Sequence, residues 1–350
     1  MGFGRFVAVR SASYLLALVA TVSILYVGTY SSVQSVIQAS ATDASETFER
    51  QLIASHRALS SAQMDAAVAS FKESYLAQFG FNQPLPVKFA LQLYNLFQFH
   101  LGTAFFLQAP DGSKQVVDLI LAYLPNTILL FTTATLVVIL AGAAIGLVAG
   151  RKAGGKLDRV VPAVAVISSS FPSFWVGFLL IAYFAYTLDV LPTGGITSVP
   201  PPTEVVPRFL DLLAHMALPL ASILLVSVGG FAYVARSLVV STMGEDFVTT
   251  AKARGISERS IVFKHVLRTA SPSLATQSIL LVTGSIGGGL TTEVIFRWPG
   301  LGLLTYMAIG ANDLPVIIGT TFVITIVLYV GLYVGELTYG LLDPRIRTGD

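Results

Sequence analysis

The chain has 350 residues, 54% of them apolar and only 11% Asp, Glu, Lys or Arg, with a net charge of +2 and no cysteine. A soluble domain carries about a quarter of its residues as those four charged types; with a mean hydropathy of +0.75, the composition excludes a water-facing surface over most of the chain. The small net charge gives no basis for nucleic-acid binding, and the absence of thiols removes disulfides, thiolate nucleophiles and most zinc sites.

A bilayer-spanning helix needs roughly 20 predominantly apolar residues, and six stretches qualify. The first is Ser11–Tyr30, preceded by Arg5 and Arg10. Ala39-Ser40-Ala41 resembles a leader cleavage site, but the apolar run is too long for a leader core and ends well before it, so a retained membrane helix is expected. Residues 31–115 then form a long segment outside the bilayer. Its spacing of Phe48, Leu52, Leu59 and of Val68, Phe71, Tyr75 predicts amphipathic helices, which Pro84 and Pro86 interrupt. The second and third spans are Asn126–Gly150 and Val160–Thr187. A proline-dense connector, Leu188–Asp211, carries Pro192, Pro200-Pro201-Pro202 and Pro207 and reads as stiff and extended. The remaining spans are Leu212–Ala235, Ser271–Phe296 and Val316–Leu342. The expected fold is therefore an all-α membrane protein with six transmembrane helices. Its parts are residues 1–30 (start and first helix), a large extracytoplasmic insertion over 31–115, and a five-helix core over 116–350.

An even span number puts both termini on one side, together with the loops 151–159 and 236–268. Of the 21 Lys and Arg, 2 precede the first span, 4 and 6 fall in those loops and 2 in the tail, leaving 7 for the far larger opposite side. Basic residues mark the cytoplasmic face, so both termini are expected in the cytoplasm of a multi-pass cell-membrane protein.

Several motifs point to chemistry the chain does not perform. Gly150-Arg151-Lys152-Ala153-Gly154-Gly155-Lys156 fits G-x-x-x-x-G-K, but Leu157 stands where a magnesium-holding hydroxyl is needed, and the run follows a span rather than a strand. His56, His100, His215 and His265 form no metal spacing, and no G-x-S-x-G elbow accompanies them. No cofactor, metal site or catalytic residue is expected. Gly142, Gly146 and Gly150, like Gly331 and Gly335, recur every four residues, a spacing that lets helix backbones approach closely. Among the acids Asp189, Glu293 and Glu336, only Glu336 lies well inside a span. An ion-coupled carrier or channel acting alone, which buries acids as relays, therefore remains the alternative to a transporter powered from outside.

The most informative segment is the loop 236–268. Glu245 and Asp246 open a helix where its dipole favours acids, and Lys252 and Arg254 close it where cations are favoured. Gly255 stands at the helix-ending, left-handed position. Ser257 follows as cap of a second helix through Val262, Phe263 and Val266. The product is a short surface helix bent at Gly255 and tied into two spans.

The run Glu245-Asp246-Phe247-Val248-Thr249-Thr250-Ala251-Lys252-Ala253-Arg254-Gly255-Ile256-Ser257-Glu258-Arg259 resembles the "EAA" loop of binding-protein-dependent ABC importer permeases, specifically the dipeptide/oligopeptide/nickel branch. Leu101-Gly102-Thr103, Ser170-Phe171-Pro172-Ser173-Phe174-Trp175, Glu293-Val294-Ile295-Phe296-Arg297-Trp298-Pro299-Gly300-Leu301-Gly302 and Leu342-Asp343-Pro344-Arg345 agree with it in order. Thr249 replaces the acid that names the general loop, Arg268 stands where other branches have proline, and residues 31–80 match only loosely. The resemblance implies a type I importer permease core of MetI-like fold, forming half of a translocation pathway for peptides or another bulky solute such as oligosaccharides. It implies as partners a second homologous permease in a heterodimer, two ABC ATPase subunits that hydrolyse the ATP, an extracytoplasmic solute-binding protein and membrane lipid. Carried over by position, the ATPase-coupling residues are Thr250, Ala251, Arg254, Gly255, Ser257 and Arg259.

Overall fold

The computed structural model describes residues 3–54, 60–78, 84–152, 154–286 and 289–342. His56, Leu59 and the end of the Leu342-Asp343-Pro344-Arg345 motif lie outside them. Among the described residues the structure is helical throughout, apart from loops and a single antiparallel bridge between Thr103 and Gln115. The chain divides into two compact units, one of Met1–Leu15, Ile120–Tyr306 and Val323–Asp350, the other of Leu16–Leu119 and Met307–Phe322.

The second unit holds the segment 31–115. Helix α1 runs unbroken over Phe3–Ala54, well past the expected end of the first span, because nothing between Tyr30 and Ala54 breaks a helix. Its residues Ile37, Ala41 and Ser45 are buried at four-residue spacing, and the Ala39-Ser40-Ala41 triplet is thus part of a packed helix. The rings of Phe48 and Phe71 stack at 4.4 Å, joining α1 to α2 (Ser61–Gln78). Phe48 and Leu52 thus lie on α1, and Val68, Phe71 and Tyr75 on α2. Pro84 and Pro86 begin a helix rather than only interrupting one. Pro84 caps α3 (Leu85–Phe97) and Pro86 sits in its first turn, where a missing N–H costs nothing.

Residues 102–116 form a hairpin-like loop, in which Ala104 N–H bonds Lys114 O at 2.7 Å and Val116 N–H bonds Gly102 O at 3.1 Å. Asp313, fully buried, accepts from the backbone N–H of Phe105, Phe106 and Leu107 at 2.8–3.1 Å. A buried carboxylate needs such partners, since an unpaired one is strongly disfavoured. Asp313 therefore pins this loop to the turn between α12 (Leu301–Ala311) and α13 (Leu314–Leu342).

In the first unit, α4 (Val116–Arg151) contains the expected second span. The expected third span is not one straight helix. α5 (Lys156–Ser169) and α6 (Ser173–Leu180), which continues as a π-helical segment through Thr187, meet at a bend of 87°. The cause lies in Ser170-Phe171-Pro172: proline has no N–H and disfavours helix in the residue before it, and Pro172 instead caps α6. α7 (Val205–Met243) begins within the proline-dense connector, with Pro207 tolerated in its first turn.

Helices long and apolar enough to cross a membrane are Val7–Gly28, Val116–Arg151, Val205–Met243 and Leu314–Glu336, four in all among the described residues, or five with the bent pair. The expected fifth span, Ser271–Phe296, is absent from this set. It folds as α10 (Leu267–Ile286) and the short α11 (Leu290–Ile295). Ser271, Ser273, Thr276, Gln277, Ser278, Thr283 and Ser285 make α10 too polar to qualify.

Glycines set the packing distance. A Cβ on Gly142, Gly146 or Gly150 would press within 2.5–2.9 Å of Phe231, Ala235 or Val239, so α4 and α7 meet nearly backbone to backbone. Gly331 lies against Thr283 in the same way, bringing α13 onto α10. Close approach of this kind is what small residues at four-residue spacing allow.

Candidate coupling site

Helix α8 (Asp246–Ala253) opens with Asp246 and closes with Lys252 in its last turn. Gly255 follows with φ +75°, its N–H bonding Lys252 O at 2.9 Å while Ile256 N–H reaches back to Ala251 O at 3.2 Å. This pair of bonds is a Schellman ending, which a residue carrying a Cβ adopts only under strain. The next residues rise into α9 (Glu258–Ser260), where Ser257 Oγ accepts from Ser260 N–H at 3.4 Å. A π-helical segment, Ile261–Val266, carries the chain directly into α10. The helix ending at Gly255 and the cap at Ser257 are as expected, while the second helix is one α turn followed by a π-helical segment.

The loop is tied down by its apolar face. Val248, Ala251, Ile261 and Val266 cluster with Val239 of α7, and Leu147, Met243, Phe247 and Ile256 pack around them. α8 is therefore seated against α7 and against the π-helical segment that leads into α10. Of the six residues proposed for coupling, Thr250, Arg254, Gly255, Ser257 and Arg259 are exposed on the outer side of the bend. Ala251 is not: it is buried at 8% exposure inside the cluster, and its smallness serves the seating of α8 against the chain's own core.

Two ion pairs surround the loop. Arg236 Nε lies 2.7 Å from Asp158 Oδ1, and Asp158 also accepts from Gly154 N–H at 2.8 Å, so the end of α7 holds the α4–α5 turn. Arg151 at the end of α4 pairs with Glu258 at 3.6 Å. Neither pair was legible in the sequence, because the partners are far apart along the chain. The Gly150–Lys156 run is an interhelical turn, not a strand-to-helix phosphate loop.

The remaining polar residues of interest are structural. Glu336 is ion-paired with Arg10 at 3.2 Å. His215 is buried, with Nδ1 2.8 Å from Asp211 O, and the Asp211 carboxylate accepts from Thr197 and from Ser198. Glu293, fully buried, accepts from Gly302 N–H at 2.6 Å, Leu303 N–H at 3.1 Å and Thr127 Oγ1 at 2.8 Å. It thereby caps α12 and locks that helix to α4. Its neighbours Gly300 and Gly302 leave room that any Cβ would take from the carboxylate. The Glu-to-Gly spacing in the sequence contains this lock, but Thr127 lies 166 residues away. Among the described residues no cluster of His, Asp and Glu has the makings of a metal site.

The family model described as "Binding-protein-dependent transport system inner membrane component" matches residues 142–348. The chain is 30% identical over 276 residues to the oligopeptide transport system permease protein AppB of Bacillus subtilis (strain 168), covering 79% of this chain and 85% of that protein. It is 31% identical over 271 residues to the dipeptide transport system permease protein DppB of the same organism, covering 77% and 82%. Among solved structures, an inward-facing form of the MetNI methionine ABC transporter matches with a TM-score of 0.51 at 15% identity, covering 66% of this chain and 99% of that one. At that identity the likeness speaks for the fold alone.

Proposed function

Because the chain belongs to the family of binding-protein-dependent transport system inner-membrane components, we propose that it is the non-catalytic permease subunit of an ATP-driven importer, driven through the bend at Gly255. The observation that carries this reading is the exposed run of Thr250, Arg254, Gly255, Ser257 and Arg259 across the bend from α8 to α9, while the apolar side of α8 is seated against α7 and α4. A partner that grips the exposed face moves α7 and α10 with it. Arg254 and Arg259 offer charges to acids on an ATPase, worth roughly 0.2–1 kcal/mol each at an exposed contact.

In this account two ABC ATPase subunits hydrolyse the ATP, a second homologous permease completes the pathway, and an extracytoplasmic solute-binding protein delivers the cargo. Peptides are the proposed cargo: oligopeptide and dipeptide permeases are among the relatives, and a pathway poor in fixed charge suits a bulky flexible solute, oligosaccharides included. Six spans with both termini in the cytoplasm remain the proposed topology. The polar α10 then serves as the fifth span, with its Ser and Thr residues turned away from lipid. Residues 31–115 and the proline-dense connector are proposed to face the receptor.

The test is replacement of Gly255 by valine in the assembled transporter. A β-branched residue at a left-handed position costs about 1–2 kcal/mol locally, and no neighbour lies within 4 Å of the new Cβ, so the bend changes without a packing clash. The expected result is ATP hydrolysis uncoupled from uptake, with normal amounts of the subunit in the membrane. Unchanged uptake would remove the loop from the mechanism.

A further inference from the structure

The α4–α5 turn and the coupling loop enclose an open cavity of about 940 Å³, lined by Arg151, Lys152, Gly154, Gly155, Lys252 and Glu258 among others. We propose that this cavity binds a phosphate-bearing anion at the membrane surface, bridging the coupling loop to the α4–α5 turn. The proposal rests on the cytoplasmic placement of the loop given above.

Charge is the first support. Three cations and one acid leave a surplus of two positive charges on the lining. The C-terminal ends of α4, α7 and α8 each oppose this with about −0.5, and the start of α5 adds about +0.5, so close to one positive charge remains. Neither Lys152 nor Lys252 is ion-paired among the described residues. The other acid at the turn, Asp158, is committed to Arg236 and to Gly154 N–H.

The second support is the Arg151 guanidinium. Its Nε is buried and faces Glu258 at 3.6 Å, within ion-pair range only, while the side chain as a whole is 39% exposed. Its remaining donors are therefore what an anion oxygen in the cavity would meet. Glycines at 150, 154, 155 and 244 keep the walls free of side chains.

Depth is the third. The apolar stretch of α4 runs to Gly150, and Arg151 is the first charge after it. On α5, just past Lys156, Leu157, Val160 and Val164 are exposed and offer a surface for acyl chains. Basic pockets between membrane helices at this level suit anionic headgroups. The same phosphate chemistry is also available from free phosphate, which the experiment separates.

The full-length chain, purified with its co-purifying subunits, is to be loaded with phosphatidylglycerol or phosphatidylcholine, and retained lipid counted by native mass spectrometry. A parallel arm replaces lipid with inorganic phosphate and reads protection of Lys152 and Lys252 from amine acylation. Phosphatidylglycerol is expected to be retained in preference to phosphatidylcholine and to protect both lysines. The double variant K152Q/K252Q should bind about 30-fold more weakly, and K152R/K252R should retain binding. Protection by inorganic phosphate equal to that by lipid assigns the site to the free anion; protection by phosphatidylglycerol alone assigns it to lipid. Equal retention of both lipids with no protection by phosphate overturns the proposal. So does protection that follows the ATPase subunits regardless of lipid or phosphate, which would place an acidic protein side chain there. Lipid retention is read without transport, whereas failure of the importer reading appears as absent ATPase subunits, so the two failures are distinct.

Discussion

At the scale of single residues, Ala251 and Gly255 are both small for different reasons. Gly255 is small because its backbone is left-handed, and space around it is open; Ala251 is small because it is packed in. Ala251→Leu is therefore expected to destabilise the protein by about 1–3 kcal/mol through overpacking, read as a lower thermal midpoint in detergent. Thr250→Ala, on the exposed side, should change stability by no more than about 0.5 kcal/mol, leaving that midpoint near wild type, and lower ATPase affinity instead. A reversed pattern, with Thr250 critical to stability and Ala251 indifferent, would contradict the assignment of faces. Glu293 is the other decisive residue. Glu293→Ala abandons Gly302 N–H, Leu303 N–H and the Thr127 hydroxyl inside the protein, each worth about 1–3 kcal/mol when left unmatched. A marked loss of folded protein is expected, with Glu293→Gln milder because it keeps an acceptor. Equal, near-normal thermal midpoints for both variants would refute the lock.

At the scale of elements, the seam between α4 and α7 is the tightest test of packing. Gly146→Leu drives a side chain into Ala235 and the backbone of Ala232 and Arg236, whereas a methyl at Gly230 meets nothing within 4 Å. The first should abolish the folded permease and Gly230→Ala should be tolerated, as judged by monodispersity after extraction. Elements governed by neighbours in sequence were legible in advance: α8 from its charges, its end from Gly255, and the next start from Ser257. Those governed by distant partners were not. The 87° bend of the third span was written in Pro172, but hydropathy averaged over it. The polar composition of α10 was masked by the apolar residues among which its hydroxyls are spread. Asp313 holds the backbone of residues 105–107, and Glu293 reaches the Thr127 hydroxyl 166 residues away; no local pattern announces such bonds. α1 outlasts the apolar run because hydropathy bounds what lipid covers, not where a helix stops.

At the scale of the whole molecule, the helices are proposed to be moved from outside through the seated loop. Glu336, the one acid well inside an expected span, is held by Arg10, which favours external drive over a relay of its own. The insertion is proposed to meet the receptor, so deletion of residues 42–75 is expected to weaken receptor binding and uptake while ATP binding to the partner subunits persists; unchanged receptor affinity would count against it. The most direct measurement is uptake of labelled peptide into proteoliposomes holding this chain and its partner permease, with receptor supplied, in the presence or absence of the ATPase subunits and ATP. The account predicts uptake only when ATPase subunits and ATP are both present. Accumulation at an equal rate without them, driven by an ion gradient alone, would contradict it.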